Sequence, residues 1–409
     1  MSIRPESLGF SSARLKNIDR FLQQRYLDNG KLPCTQTLIA RRGEIIYQSV
    51  LGQMDVERKR PATEDTIYRI YSMTKPITSV AFMMLVEEGL VSLDEPVHRV
   101  IPEWRDLGVY ASGAHGMFRT ERTQQPMRMV DLLRHTSGLT YGFQLRTNVD
   151  AAYRKLKIGE FVDGLSLDDM IKTLATLPLE FSPGTAWNYG VSTDVLGYLV
   201  GKISGQPFEQ FVRERILKPL KMADTDFSVP ATKASRFAAC YAATSDLRMT
   251  LQDDPTTSPY LQPPTFVSGG AGLVSTAADY LRFAQMLLNG GELDGVRLIS
   301  PKTLHLMTSN HLPGNKELPE LSRSLFSEAM YNGVGFGLGF AVTVNSARTL
   351  ILGSTGEFTW GGMASTLFWV DPREQLVGIF LTQLTPSSTY AVRRDLRTLT
   401  YAAMTESYA

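Results

Sequence analysis

A chain of 409 residues is long enough to bury a large core, in two or three domains or in one composite domain. Its 42 Lys and Arg balance 41 Asp and Glu for a net charge of +1, and no basic block or stripe of the kind that grips phosphates is present, so nucleic-acid binding is not expected. With 43% hydrophobic residues, no apolar run approaching a membrane span and no apolar core in the opening MSIRPESLGFSS, the sequence predicts a cytoplasmic globular protein without membrane association.

Cys34 and Cys240 are too few for a disulfide framework, and the five histidines show no metal-ligand spacing, so neither a metal nor another cofactor is expected. In chain order, Ser11 or Ser12 caps a first helix with Leu15, Ile18, Phe21 and Leu22 on one face. The runs 36–40 and 44–50 read as a hairpin turning at Arg41-Arg42-Gly43. From Arg69 to Leu90, Pro76 suits the first turn of a helix, and Ile77, Val80, Ala81, Met84 and Leu85 follow at helical spacing. Phe82 and Met83 fill the other face, which predicts a central helix buried all round.

Residues 90–104 read as a turn-rich connector, and 129–220 as a series of helices, among them STDVLGYLVGKISG ending at Gly205. Residues 230–268, rich in Pro and Thr, predict a long surface excursion. Thr276-Ala-Ala-Asp279 resembles a capping box ahead of a helix with Leu281, Ala284, Leu287 and Leu288 inward. No pattern marks 313–333. Strands are expected at 336–344, 349–353, 360–370 and 375–384, the last two joined by Asp371-Pro372-Arg373-Glu374, before a final helix with Val392, Leu396, Leu399 and Ala403 inward.

Both ends therefore read as antiparallel strands with helices, and the middle as helices. The expected fold is α/β (α+β): residues 1–80 and 269–409 form one domain with an antiparallel sheet flanked by helices, and 81–268 an inserted, mostly helical domain.

Ser72 stands at the mouth of the central helix, where unpaired N–H groups and the helix dipole favour an alkoxide and an oxyanion. An offset of three puts the Lys75 amine on the same face, and burial there would let it lose its proton near neutral pH and act as a base. Ser-x-x-Lys is weak alone, since a serine before a helix is usually only a cap. Two further stretches add to it. Tyr189 lies in a loop just before the helix that starts at Ser192 or Thr193, free to project into a cleft. Trp360-Gly361-Gly362 opens a strand along which a substrate could lie, with the next N–H aimed at an oxyanion, although a β-bulge explains paired glycines equally well.

In this order, Ser72-Met73-Thr74-Lys75, Tyr189-Gly190-Val191 and Trp360-Gly361-Gly362 resemble the three motifs of the serine β-lactamase and penicillin-binding protein superfamily, and LLRHTSGL at 132–139 extends the likeness. The closest resemblance is to class C β-lactamases and, through Trp-Gly-Gly, to family VIII carboxylesterases. The resemblance implies a β-lactamase-like fold with Ser72 as nucleophile and Lys75 and Tyr189 sharing the proton transfers, which of the two acts first being left open. It also implies an oxyanion hole from the backbone N–H groups of Ser72 and Met363, with Val191, Trp360, Gly361 and Gly362 at the substrate.

Two departures bear on the substrate. Trp360 replaces the lysine that meets a β-lactam carboxylate, a charged hydrogen bond worth about 1.5–3 kcal/mol, and Val191 replaces an asparagine. Both point to a small neutral ester as the substrate. The competing readings are a β-lactamase, a D-amino peptide hydrolase, an acyltransferase of the same fold, and a sensor acylated without turnover. A Ser-His-Asp hydrolase is disfavoured, because the chain has no Gly-x-Ser-x-Gly elbow and His135 reads as structural.

Overall fold

The computed structural model describes residues 4–160, 164–324 and 332–408. Strands β1 (Cys34–Arg41) and β2 (Glu44–Asp55) form the predicted hairpin, with Arg42 (φ 53°) and Gly43 (φ 83°) supplying the two left-handed residues that a tight turn of matching twist requires. A short β3 (Arg60–Pro61) follows on the edge. The second half of the chain contributes β4 (Val334–Phe336), β5 (Ala341–Thr343), β6 (Phe358–Gly361), β7 (Leu367–Asp371) and β8 (Leu376–Leu381). These eight strands make one antiparallel sheet in the order β4-β5-β6-β7-β8-β1-β2-β3. The two ends of the chain meet in its middle, where β1 pairs with β8 from Gln36 opposite Leu381 to Arg41 opposite Leu376.

Helices cover both faces. On the outer face, α1 (Ser12–Leu22) bears Leu15, Ile18 and Leu22 against Trp369 and Phe380, together with Leu396 of the C-terminal helix. On the inner face α4 (Ala277–Leu288) packs on β1, β7 and β8, and α2 (Thr74–Glu87) shares that core and packs against α3 (Ser192–Ser204); the C-terminal helix is α5 (Val392–Ala402). This double cover explains why β1, β7 and β8 are buried at every residue, and why β8 (LVGIFL) carries no polar side chain on either face. All residues of α2 from Thr74 to Leu85 are buried, as its two-sided apolar pattern predicts. One continuous inner core joins α2 and α4 to the helices of the middle region, and α2 runs unbroken through residue 80, where the sequence reading divides the domains.

The structure departs from expectation in the second half. The run 349–353 forms no strand: the Asn345 side chain caps a helical turn, Ser346–Thr349, and Leu350 (φ 56°) and Leu352 then point into solvent. The stretches 336–344 and 360–370 each break at a turn, giving β4 and β5, and β6 and β7. In α4 the inward face is Tyr280, Phe283, Ala284 and Leu287, while Leu281 and Leu288 are half-buried, because the two aromatic rings claim the sheet-facing stripe. A helix at Asn148–Lys155, capped by Thr147, adds a member to the helical series expected over 129–220, and a hairpin of Val109–Ser112 with Arg119–Glu121 stands where no element was expected. Part of the patternless stretch 313–333 lies outside the described residues. Among the described residues no helix is long and apolar enough to cross a membrane.

Candidate active site

The chain enters α2 from a two-residue strand, Tyr68–Arg69, paired with Val274–Ser275. Arg69 is fully buried and anchors this approach through Asp253 (2.6 Å), Ser258 (3.0 Å) and the Ala238 carbonyl (2.5 Å). Tyr71 adopts φ 41°, a left-handed conformation that costs a bulky residue about 1–3 kcal/mol and that reverses the extended chain into the turn Tyr71–Met73. Ser72 sits in that turn. Its side chain caps nothing; the hydroxyl accepts a hydrogen bond from Tyr189 Oη at 2.7 Å and lies 3.2 Å from Lys75 Nζ.

Lys75 is buried, donates to the Gly270 carbonyl at 2.8 Å and to Tyr141 Oη at 3.1 Å, and rests 4.6 Å from the centre of the Tyr189 ring. Burial lowers its pKa to about 7, while the nearby Asp194 carboxylate pulls the other way. An amine poised at that value is a competent base at neutral pH. Burial also raises the Tyr189 phenol above its ordinary value, partly offset by its hydrogen bonds to Ser72 and Trp360, so Tyr189 is a proton donor at rest.

Asp194, two residues into α3, is buried and accepts from Ser268 Oγ and the Gly270 N–H (2.9 Å), and it also hydrogen-bonds Tyr141. Burial raises its pKa, and Lys75 counters that rise. The backbone of the single residue Gly270 thus bridges both side chains, its N–H donating to Asp194 and its carbonyl accepting from Lys75. A Cβ there would stand 2.6 Å from Asp194 Oδ2 and 3.0 Å from Tyr141 Oη.

Tyr189 is set by LLRHTSGL and its continuation. The Asn188 N–H donates to the His135 carbonyl, Asn188 Nδ2 to the Leu139 carbonyl, and the Val191 N–H to the Thr140 carbonyl. His135 packs its ring on Trp187, Tyr189 and Phe336, and burial, then Lys75, holds it well below its usual pKa. It is a neutral packing residue.

At the end of β6, the two glycines serve close approach. A Cβ on Gly362 would lie 2.3 Å from the Ile70 carbonyl, and one on Gly361 2.7 Å from the Arg393 guanidinium, so the strand end abuts the turn that carries Ser72. Met363 follows on the wall of the same cleft as Ser72. Among the described residues, neither the Ser72 nor the Met363 N–H donates to a backbone or side-chain acceptor.

The cleft encloses about 720 Å³. Ser72, Tyr189 and Met363 open on it, with Lys75 hydrogen-bonded beneath Ser72. Val191, Trp360, Gly361 and Gly362, expected at the substrate, lie behind the wall: Val191 is buried at the start of α3, and Trp360 is sandwiched between Tyr189 (5.5 Å) and Phe336 (5.4 Å). Sequence reasoning missed Tyr141, Asp194 and the Ser268-Gly269-Gly270-Ala271 turn. Tyr141 is only two residues beyond LLRHTSGL, but Asp194 and the turn carry no local signal. No group of three or more potential metal ligands occurs among the described residues.

A Beta-lactamase family model matches residues 18–402. Protein Rv1367c of Mycobacterium tuberculosis is 36% identical over 88% of each chain, and esterase EstB of Burkholderia gladioli is 30% identical over 93% of each. Among solved structures, EstCE1, a hydrolase with promiscuous acyltransferase activity, superposes with a TM-score of 0.79 at 25% identity, covering 97% of this chain and 99% of its own. With the antiparallel sheet and the Ser72 site, these matches show that the chain belongs to the Beta-lactamase family.

Proposed function

We propose that the protein is a serine carboxylesterase that hydrolyses short-acyl esters through an acyl-enzyme on Ser72, with weak or no β-lactam hydrolysis. The observation that carries this reading is the convergence on one hydroxyl, Tyr189 Oη at 2.7 Å and Lys75 Nζ at 3.2 Å, in a cleft that Met363 also lines. EstB, an esterase by name, and the hydrolase EstCE1 support the reaction class.

In the first half-reaction neutral Lys75 takes the Ser72 proton as Oγ attacks the ester carbonyl carbon. The carbonyl oxygen becomes an oxyanion facing the Ser72 and Met363 N–H groups; each such donor is worth about 100–1000-fold in rate. Collapse breaks the C–O bond to the alcohol. The departing oxygen takes a proton from Tyr189, which recovers one from Lys75 across the shared pocket. Water then attacks the acyl carbon with the same groups in reversed roles, giving acid and free Ser72. Tyr141 and the Gly270 carbonyl hold the amine in line, and Asp194 holds both.

A second reading, acyl transfer to an alcohol, is favoured by the cleft's volume, which exceeds what a short acyl group and a water need, and by the named activity of EstCE1. The discriminating experiment compares p-nitrophenyl butyrate with a chromogenic cephalosporin. Continuous p-nitrophenol release, abolished in Ser72→Ala, is expected; a single burst would indicate a sensor, and higher kcat/KM on the cephalosporin a β-lactamase. Butyrate ester formed from an added alcohol, measured against butyric acid, reports transfer.

A further inference from the structure

We propose that the mouth of the cleft is a binding ledge for the bulky half of the substrate, and that this half is a flat, uncharged ring system. The proposal rests on the esterase reading and specifies its substrate. Tyr141 and Phe143 stack with ring centres 4.8 Å apart and planes within 19°, so the buried Tyr141 backs the exposed Phe143 ring as a flat apolar platform in the cleft that holds Ser72. Tyr141 is held in place by Lys75 and Asp194. Phe143 is 54% exposed, an expensive placement for a phenyl ring in water.

The exposed ring is nonetheless fixed. The turn Gly142–Gln144 that carries it is bonded on both sides, Arg154 donating to the Gly142 carbonyl and Gln144 Nε2 to the Tyr189 carbonyl at 3.0 Å and Ser324 Oγ at 2.9 Å. Gly142 permits this closeness, since a Cβ there would lie 2.8 Å from Arg154 Cγ and 3.1 Å from its backbone nitrogen. A rigid, exposed aromatic face binds a flat partner at little entropic cost. Met363, 37% exposed, also lines the cleft and supplies an adaptable apolar contact.

Charge narrows the class. The described residues lining the cleft include Glu160 and Asp194 and no Lys or Arg, so a carboxylate or sulfonate on the ring would meet repulsion without a counter-ion. The ligand that fits is an ester of a small acid with a fused or aromatic, neutral ring alcohol.

The test compares 2-naphthyl butyrate, ethyl butyrate and a 6-sulfonated 2-naphthyl butyrate. Phe143→Ala is expected to lower kcat/KM for 2-naphthyl butyrate about tenfold more than for ethyl butyrate, mainly through KM, and Phe143→Trp to restore the preference. The sulfonated ester is expected to be at least tenfold poorer than its parent. Equal losses on the naphthyl and ethyl esters, or equal rates on the sulfonated and parent esters, would overturn the proposal. If the wild-type protein turns over none of the three, the esterase reading fails by itself. Calorimetric binding of 2-naphthol then decides the ledge: weaker binding by Phe143→Ala supports it, and identical binding removes it.

Discussion

Two glycine pairs flank Ser72. Gly361-Gly362 lets the end of β6 press against the Ile70 carbonyl, one step before the turn that carries Ser72, on the side where the proposed mechanism puts the oxyanion. Gly269-Gly270 lets an irregular turn press against the Thr193 carbonyl and Asp194 and presents one carbonyl to Lys75, setting the proton side. In the proposed mechanism the first pair shapes where negative charge develops. The second pair shapes how easily an amine gives up its positive charge. In both, the absent side chain matters because backbone must meet backbone or a buried charge at a distance no Cβ allows.

Substitutions in the two pairs differ in kind. Gly362→Ala is expected to have the largest effect, about 100–1000-fold in kcat on p-nitrophenyl butyrate, because the methyl group pushes the Met363 amide away from Ser72. Its pH profile keeps its shape. A loss below tenfold in a variant with a native circular dichroism spectrum would dissociate the strand end from oxyanion stabilisation.

Gly270→Ala is expected to cost about 100-fold, the scale of a one-ångström misplacement, by forcing the carbonyl off Lys75. Here the pH profile changes as well. In the wild-type protein kcat/KM should rise as pH passes about 7, since Lys75 accepts a proton only when neutral and its pKa is about 7. A variant that lost rate with an unaltered acidic limb would show that the turn acts on position alone.

Asp194→Asn is the mildest change and the sharpest probe. The carboxylate raises the Lys75 pKa against the larger effect of burial, so removing its charge lets the Lys75 pKa fall further and moves the acidic limb to lower pH. Asparagine still offers an oxygen to the Gly270 N–H and Ser268, so the optimum rate should fall less than tenfold, about the worth of a weakened hydrogen bond. Movement of the limb to higher pH would contradict the sign and take Lys75 out of the base role.

Legibility follows the range of the interaction. Ser72 and Lys75 are readable because one helical turn relates them, and the buried helix that carries them is readable from its apolar pattern on every side. The hairpin of β1 and β2 announces itself through its turn, whereas the run 349–353 misleads because an asparagine cap, not hydrophobicity, decides its backbone. Tyr189 is recognisable by motif, yet its contact with Ser72 spans 117 positions in the chain.

The sequence by itself marked out Ser72 and its amine neighbour Lys75, the antiparallel sheet shared by both chain ends and the family. Only the tertiary structure decided that Tyr141, Asp194 and Gly270 close the proton side, and that Trp360 and Val191 stand behind the cleft wall rather than in it. The reason is physical: a pKa near neutrality and a side chain's facing are set by burial and by partners brought from distant segments, and neither leaves a periodic mark on the chain that supplies it.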